Sequence, residues 1–144
     1  MNIRETFIKS VESNNTKKFK YLLKNNLIEP CILNNWAIRT AAQHGFVEIF
    51  NLLLNDPRVN PVFDDNCILL TASANGHLQI VKLILDDKRI NSNFIDTAFE
   101  FDYFNNYISV ARTLWNNKRF NKYKKNFDKK TYFKIYIQEH INNF

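Results

Sequence analysis

Glycine and proline are nearly missing from this chain. Its 144 residues include two glycines and three prolines. A glycine-rich phosphate loop is excluded, because Gly45 and Gly76 stand alone. Cysteine is as scarce: Cys31 and Cys67 form no C-x-x-C pair and no disulfide framework. They sit in the apolar stretches "PCIL" and "NCILL" and are expected to be reduced thiols packed against neighbours. No apolar run approaches the ~20 residues that span a bilayer. The start, "MNIRETFIKSVE", places Arg4, Glu5, Lys9 and Glu12 where a secretory signal needs apolar residues. A cytoplasmic protein that is not secreted is therefore expected.

What is present reads as one soluble domain, with 45% hydrophobic and 24% charged residues. Asparagine, lysine, isoleucine and aromatics are favoured, in keeping with AT-rich codons. Asparagine matters for turns, since it tolerates the left-handed region usually left to glycine. The net charge of +6 is uneven. Residues 1–115 carry 12 basic and 12 acidic side chains, whereas residues 116–144 carry 8 and 2.

The two glycines mark a repeat. Shifted by 31 residues, "NCILLTASANGHLQIVKLILDDKRIN" (66–91) falls on "NWAIRTAAQHGFVEIFNLLLNDPRVN" (35–60), with Gly76 on Gly45. The same shift backwards brings Asn14 to the glycine position, and a shift of 30 forwards brings Asn106 there. Self-similarity at this period is the mark of a stacked array. Four units follow, at about 4–34, 35–65, 66–95 and 96–120, with 121–144 as a C-terminal segment.

Each unit reads as two short helices. In the second unit, Trp36–His44 is the first, with Ile38, Ala41 and Ala42 at helical spacing. Gly45 should end it in a left-handed C-cap. Val47–Asn55 is the second, with Val47, Phe50, Leu53 and Leu54 on one face, and Pro57 forbids continuation. Helices this short persist only when neighbouring pairs bury each other's apolar faces.

The recurring "A-A-x-x-G-[FH]-[VL]-[EQ]-I-[FV]-x-L-[LI]-L", then "D-x-R-[VI]-N", resembles the ankyrin repeat. It lies at Ala41–Leu54 and, with Ser73 for the second Ala, at Ala72–Leu85. The "L-x-D-P-R-V-N-P" wording and the Asn/Lys-rich composition resemble the ankyrin proteins encoded by giant DNA viruses. The resemblance implies an all-α ankyrin-repeat solenoid of about four helix-turn-helix units with a C-terminal capping helix. The family's Thr-Pro-Leu-His tetrapeptide is lost, which puts the first-helix starts in doubt. "FEFDYFNNY" in the fourth unit replaces small alanines, so packing there is expected to be looser or rotated.

Nothing in the sequence forms a catalytic set, and no metal, cofactor or enzymatic activity is expected. His77, after Gly76, holds the family's place for a histidine that braces neighbouring loops. Asp64-Asp65 and Asp86-Asp87 read as turn or helix-terminal residues. The resemblance implies protein binding through loop tips and the exposed ends of first helices. By position these are Phe63, Asp64 and Asn66, then Phe94 and Asp96, with Gln43 and His44, Ala74 and Asn75, Phe104 and Asn105 at the helix ends. Exposed aromatics beside polar groups suit interface anchors. A monomer binding a protein partner, in host cytoplasm under the narrower resemblance, is the expected function.

The C-terminal segment admits three readings, one of them a disordered tail. Lys118, Arg119, Lys122, Lys124, Lys125, Lys129 and Lys130 interleave with aromatics, a pattern that binds nucleic acid or an anionic surface. Alternatively, Phe133, Tyr136, Ile137, His140 and Ile141 form an amphipathic helix that closes the stack.

Overall fold

A computed structural model describes residues 2–62, 67–89, 95–105, 107–122, 124–126 and 128. The closing helix expected from Lys129 onward lies outside them. Among the described residues there are eight α-helices, two short 3-10 turns and no strand.

The helices come in pairs. These are α1 (Ile3–Glu12) with α2 (Thr16–Lys24), α3 (Ile32–His44) with α4 (Val47–Leu54), α5 (Cys67–Ala74) with α6 (Leu78–Asp86), and α7 (Ile95–Phe104) with α8 (Ile108–Asn116). First helices α1, α3, α5 and α7 pack on one another in a layer, and second helices α2, α4, α6 and α8 form the other.

The corner between the two helices of a unit is the same four times. Asn15, Phe46, His77 and Tyr107 each donate a backbone N–H to the carbonyl five residues earlier, on Ser10, Ala41, Ala72 and Asp102. This is the Schellman closure of a helix, which needs a left-handed residue just before the donor. Gly45 (φ 74°) and Gly76 (φ 69°) supply it, and Asn14 does so at φ 49°. Asn14 therefore replaces glycine at this corner, as the repeat alignment predicts. Asn106 lies outside the described residues.

The core runs the length of the stack. Ile49, Phe50, Leu53 and Leu54 of α4 are buried, as are Ile80, Val81, Ile84 and Leu85 of α6 at equivalent positions. Val110, Ala111, Leu114 and Trp115 of α8 continue the pattern. Each large aliphatic side chain so buried contributes about 1.5–3 kcal/mol against exposure. Val47, expected on the buried face, is 39% exposed because it opens α4 at the surface. Cys31 is exposed rather than packed, since it precedes α3 at a turn. Leu33, Asn34 and Asn35 take left-handed φ values of 55°, so the right-handed part of α3 begins at Trp36, where the sequence places it.

Among the described residues of the fourth unit, the aromatic side chains are packed rather than loose. Phe99 of α7 is fully buried, with its ring 5.3 Å from Trp115 and 4.9 Å from Phe120. Phe120 comes from a 3-10 turn, Lys118–Phe120, that folds back on α7 and α8. The three aromatics enlarge positions that Ile38 and Leu69, Leu54 and Leu85, and Val59 hold in the middle units.

Candidate functional site: the first-helix ends

Equivalent positions of the stacked first helices form a row: Glu12, Gln43, Ala74 and Phe104, then Ser13, His44, Asn75 and Asn105. The structure brings six expected residues into this row, at the ends of α3, α5 and α7. Gln43, His44, Asn75 and Asn105 are exposed and Ala74 is half-buried; the Phe104 side chain lies outside the description. His44 donates from Nδ1 to the Thr40 carbonyl at 3.0 Å and stacks on Phe46 at 5.5 Å. Asn75 Nδ2 donates to the Thr71 carbonyl at 2.8 Å. Asp96 is half-buried and accepts from the Thr97 N–H at 2.9 Å. Phe63, Asp64, Asn66 and Phe94 lie outside the described residues.

Between α1 and α3 the row opens into a cleft of about 340 Å³ lined by Glu12, Trp36, Thr40, Gln43, His44 and Phe46. Sequence reading picks out Gln43 and His44 but misses Trp36 and Phe46. The signal was available in Trp36, an aromatic residue where the family has threonine.

His77 braces the row. Its Nε2 donates to the Gln43 carbonyl at 2.9 Å. Its ring also lies over Gly45, where a Cβ would fall 2.7 Å from Nδ1. Tyr107 covers Gly76 in the same way, with 3.1 Å left for a Cβ. At Gly45 both positive φ and the His77 ring work against a side chain; at Gly76 positive φ does so, and the Tyr107 ring would have to give by only a few tenths of an ångström.

A second ladder fixes the opposite edge. In "D-P-R", Asp56 takes Arg58 Nε at 2.9 Å and Nη2 at 2.6 Å, while Arg58 Nη1 reaches the Ile28 carbonyl at 3.2 Å. In "D-K-R", Asp87 holds Arg89, whose Nη2 reaches the Leu54 carbonyl at 2.6 Å. The hydrogen bonds from Arg58 and Arg89 hold the Asp56 and Asp87 carboxyls below the usual carboxylate range. In the fourth unit Asn117 replaces the acid, and Arg119 reaches the carbonyls of Leu85 at 3.4 Å and Asp87 at 3.1 Å.

This corrects the reading of the basic segment. Arg119 is a rung of the stack rather than a free tail cation, because its guanidinium is committed to carbonyls of the third unit. Lys124 lies over the Trp115 ring at 5.3 Å. Lys118, Lys122 and Lys125 are exposed, and Lys129 and Lys130 lie outside the described residues.

One buried polar group was not anticipated. Asp102 occupies the first-helix position that Ala41 and Ala72 fill in the middle units, and it is fully buried. Neither carboxylate oxygen has a well-formed hydrogen bond among the described residues. Burial pushes its pKa up to about 7, a rise the nearby Ser73 hydroxyl partly offsets.

Stacked helix pairs with an exposed row of helix ends define a scaffold for binding. The family model for ankyrin repeats (3 copies) matches residues 7–96, and the chain belongs to that family. Ankyrin repeats are generally protein–protein interaction modules, and proteins built from them are typically non-enzymatic. No match was found among curated proteins or among solved structures. Among the described residues, no helix is long and apolar enough to cross a membrane.

Proposed function

We infer that this chain is a monomeric, non-enzymatic binding module whose first-helix ends receive a protein partner. The cleft between α1 and α3 carries the reading: Trp36 and Phe46 offer half-buried aromatic surface beside the exposed polar ends of Gln43 and His44. Interface anchors have this composition. The rigid stack limits the conformational entropy lost on association. Of the expected loop residues, Asp96 lies in the first turn of α7, at the end away from Asn105; Phe63, Asp64, Asn66 and Phe94 lie outside the described residues. The resemblance of "L-x-D-P-R-V-N-P" to ankyrin proteins encoded by giant DNA viruses motivates a host protein as the partner, met in the cytoplasm.

The test is affinity capture from host-cell lysate with the native chain and with Gln43→Arg/His44→Glu, two exposed changes that leave the core intact. A specific protein captured by the native chain and lost with the double variant is expected. Equal capture by both overturns the site. Light scattering should give the monomer mass.

A further inference from the structure

The stack builds the same groove twice on its second-helix layer. Between α2 and α4 it has a volume of about 300 Å³, with Leu23, Leu52 and Pro57 as its floor. Between α4 and α6 it has a volume of about 440 Å³, and each lining residue is the first groove's position plus 31. The fold alone therefore accounts for the shape. It does not account for the rims.

Lys20 and Lys24 line the first groove where Asn51 and Asn55 line the second. Pro57 is replaced in the second by Lys88, and Asn55 by Asp86. The only acid lining the first groove, Asp56, is already neutralised by Arg58. Lys17 stands one turn before Lys20 on the same side of α2, whereas Lys18 and the 59% exposed Tyr21 lie outside the groove lining. Residues 13–28 contain these four lysines and no acid. None of the four is paired with a carboxylate among the described residues. The charge balance over residues 1–115 conceals this local excess.

We propose that the α2–α4 groove is a second binding surface, which takes an acidic peptide segment of a protein partner. One bulky apolar side chain of that segment enters the floor of Leu23, Leu52 and Pro57. Its flanking carboxylates meet Lys20 and Lys24. The apolar floor favours a peptide over a nucleic-acid backbone, which would use the lysines and leave the floor empty. This surface is in the layer opposite the first-helix row, so it stands or falls separately from that reading.

The equivalent groove supplies an internal control. Fluorescence anisotropy of a labelled glutamate peptide with one central phenylalanine is measured against the full chain at low salt. Lys20→Glu/Lys24→Glu should weaken binding at least about tenfold, as expected for loss of facing charges. Lys82→Glu/Lys88→Glu changes the net charge equally beside the second groove and should weaken binding less than about twofold. Alanine in place of the probe's phenylalanine should weaken it several-fold. Equal loss in the two double variants overturns the proposal in favour of diffuse charge attraction. So does indifference to the phenylalanine, or an oligothymidine probe that binds more tightly than the peptide. Absence of any peptide binding overturns it outright. Circular dichroism confirms that both double variants keep their helices.

Discussion

The middle of the stack and its fourth unit solve the same packing problem with opposite chemistry. In the middle, Ala41 and Ala72 let first helices approach, and carboxylates at the loop edge are clamped by arginines. In the fourth unit, Asp102 takes the alanine position and Phe99, Trp115 and Phe120 form an aromatic plug. The middle carboxylates are held low by hydrogen bonds to arginine, while the fourth-unit carboxyl is held high by burial. The fold tolerates both fillings, but pH acts on them in opposite senses.

Trp36 lies in the second unit and Trp115 in the fourth, so single-tryptophan variants report on the two regions separately. The largest effect is expected from Phe99→Ala, which empties the plug. It should cost about 3–5 kcal/mol in urea unfolding followed at Trp115. A smaller loss at Trp36 would show that the two regions unfold in separate steps. A loss below about 1 kcal/mol at Trp115 would break the claim that the plug holds the unit.

Asp102→Ala makes the fourth unit resemble the middle. Protonation of Asp102 is favoured in the folded chain, so its stability contribution is intact below the ordinary value of 3.8 and is lost as pH rises through about 7. Each unit of pKa is worth about 1.4 kcal/mol, which sets an upper bound of ~4 kcal/mol. The variant should be more stable than the native chain by ~2–4 kcal/mol at pH 8, with the gain vanishing near pH 4. Asp56 and Asp87 act the other way: their contribution is present above the ordinary carboxylate pKa and is lost as pH falls through their lowered values. A pH-independent difference between Asp102→Ala and the native chain would contradict the burial argument.

Gly45→Val forces a β-branched residue into positive φ and against His77. It should cost ~2–3 kcal/mol, read as a lower urea midpoint at Trp36. His77→Ala in the same chain should recover the part due to collision and leave the backbone part. The smallest effect belongs to Arg89→Ala. Its ion pair with Asp87 is half-exposed at the arginine, so only about 1 kcal/mol is expected after solvent screening. A matched loss in Arg119→Ala, whose motif has no acid, would mean that the carbonyl contacts matter more than the ion pair.

Much of the fold was legible because the repeat exposes it. The glycine corner, its asparagine substitute at Asn14, the helix stop before Pro57 and the buried stripe Phe50–Leu53–Leu54 all follow from period and turn chemistry. Apart from the His77 brace, the links between units were not legible. "D-x-R" recurs visibly, yet the arginines bond to backbone carbonyls about 30 residues away, and a carbonyl leaves no trace in sequence. The fourth-unit plug was missed because spacing cannot tell a bulky residue that fits from one that clashes. At the candidate site, position in the repeat located Gln43 and His44. The cleft beside them needed Trp36 on α3 and Phe46 at the start of α4, which the α3–α4 corner brings together beside Glu12 of α1.

The links between units share a direction. Arg58, Arg89 and Arg119 each reach back to the preceding unit, His77 roofs Gly45, and Tyr107 roofs Gly76. Each unit is finished by the one made after it. A chain leaving the ribosome thus carries, at every moment, one incomplete corner at its growing end. Each corner is therefore synthesised before the side chains that close it.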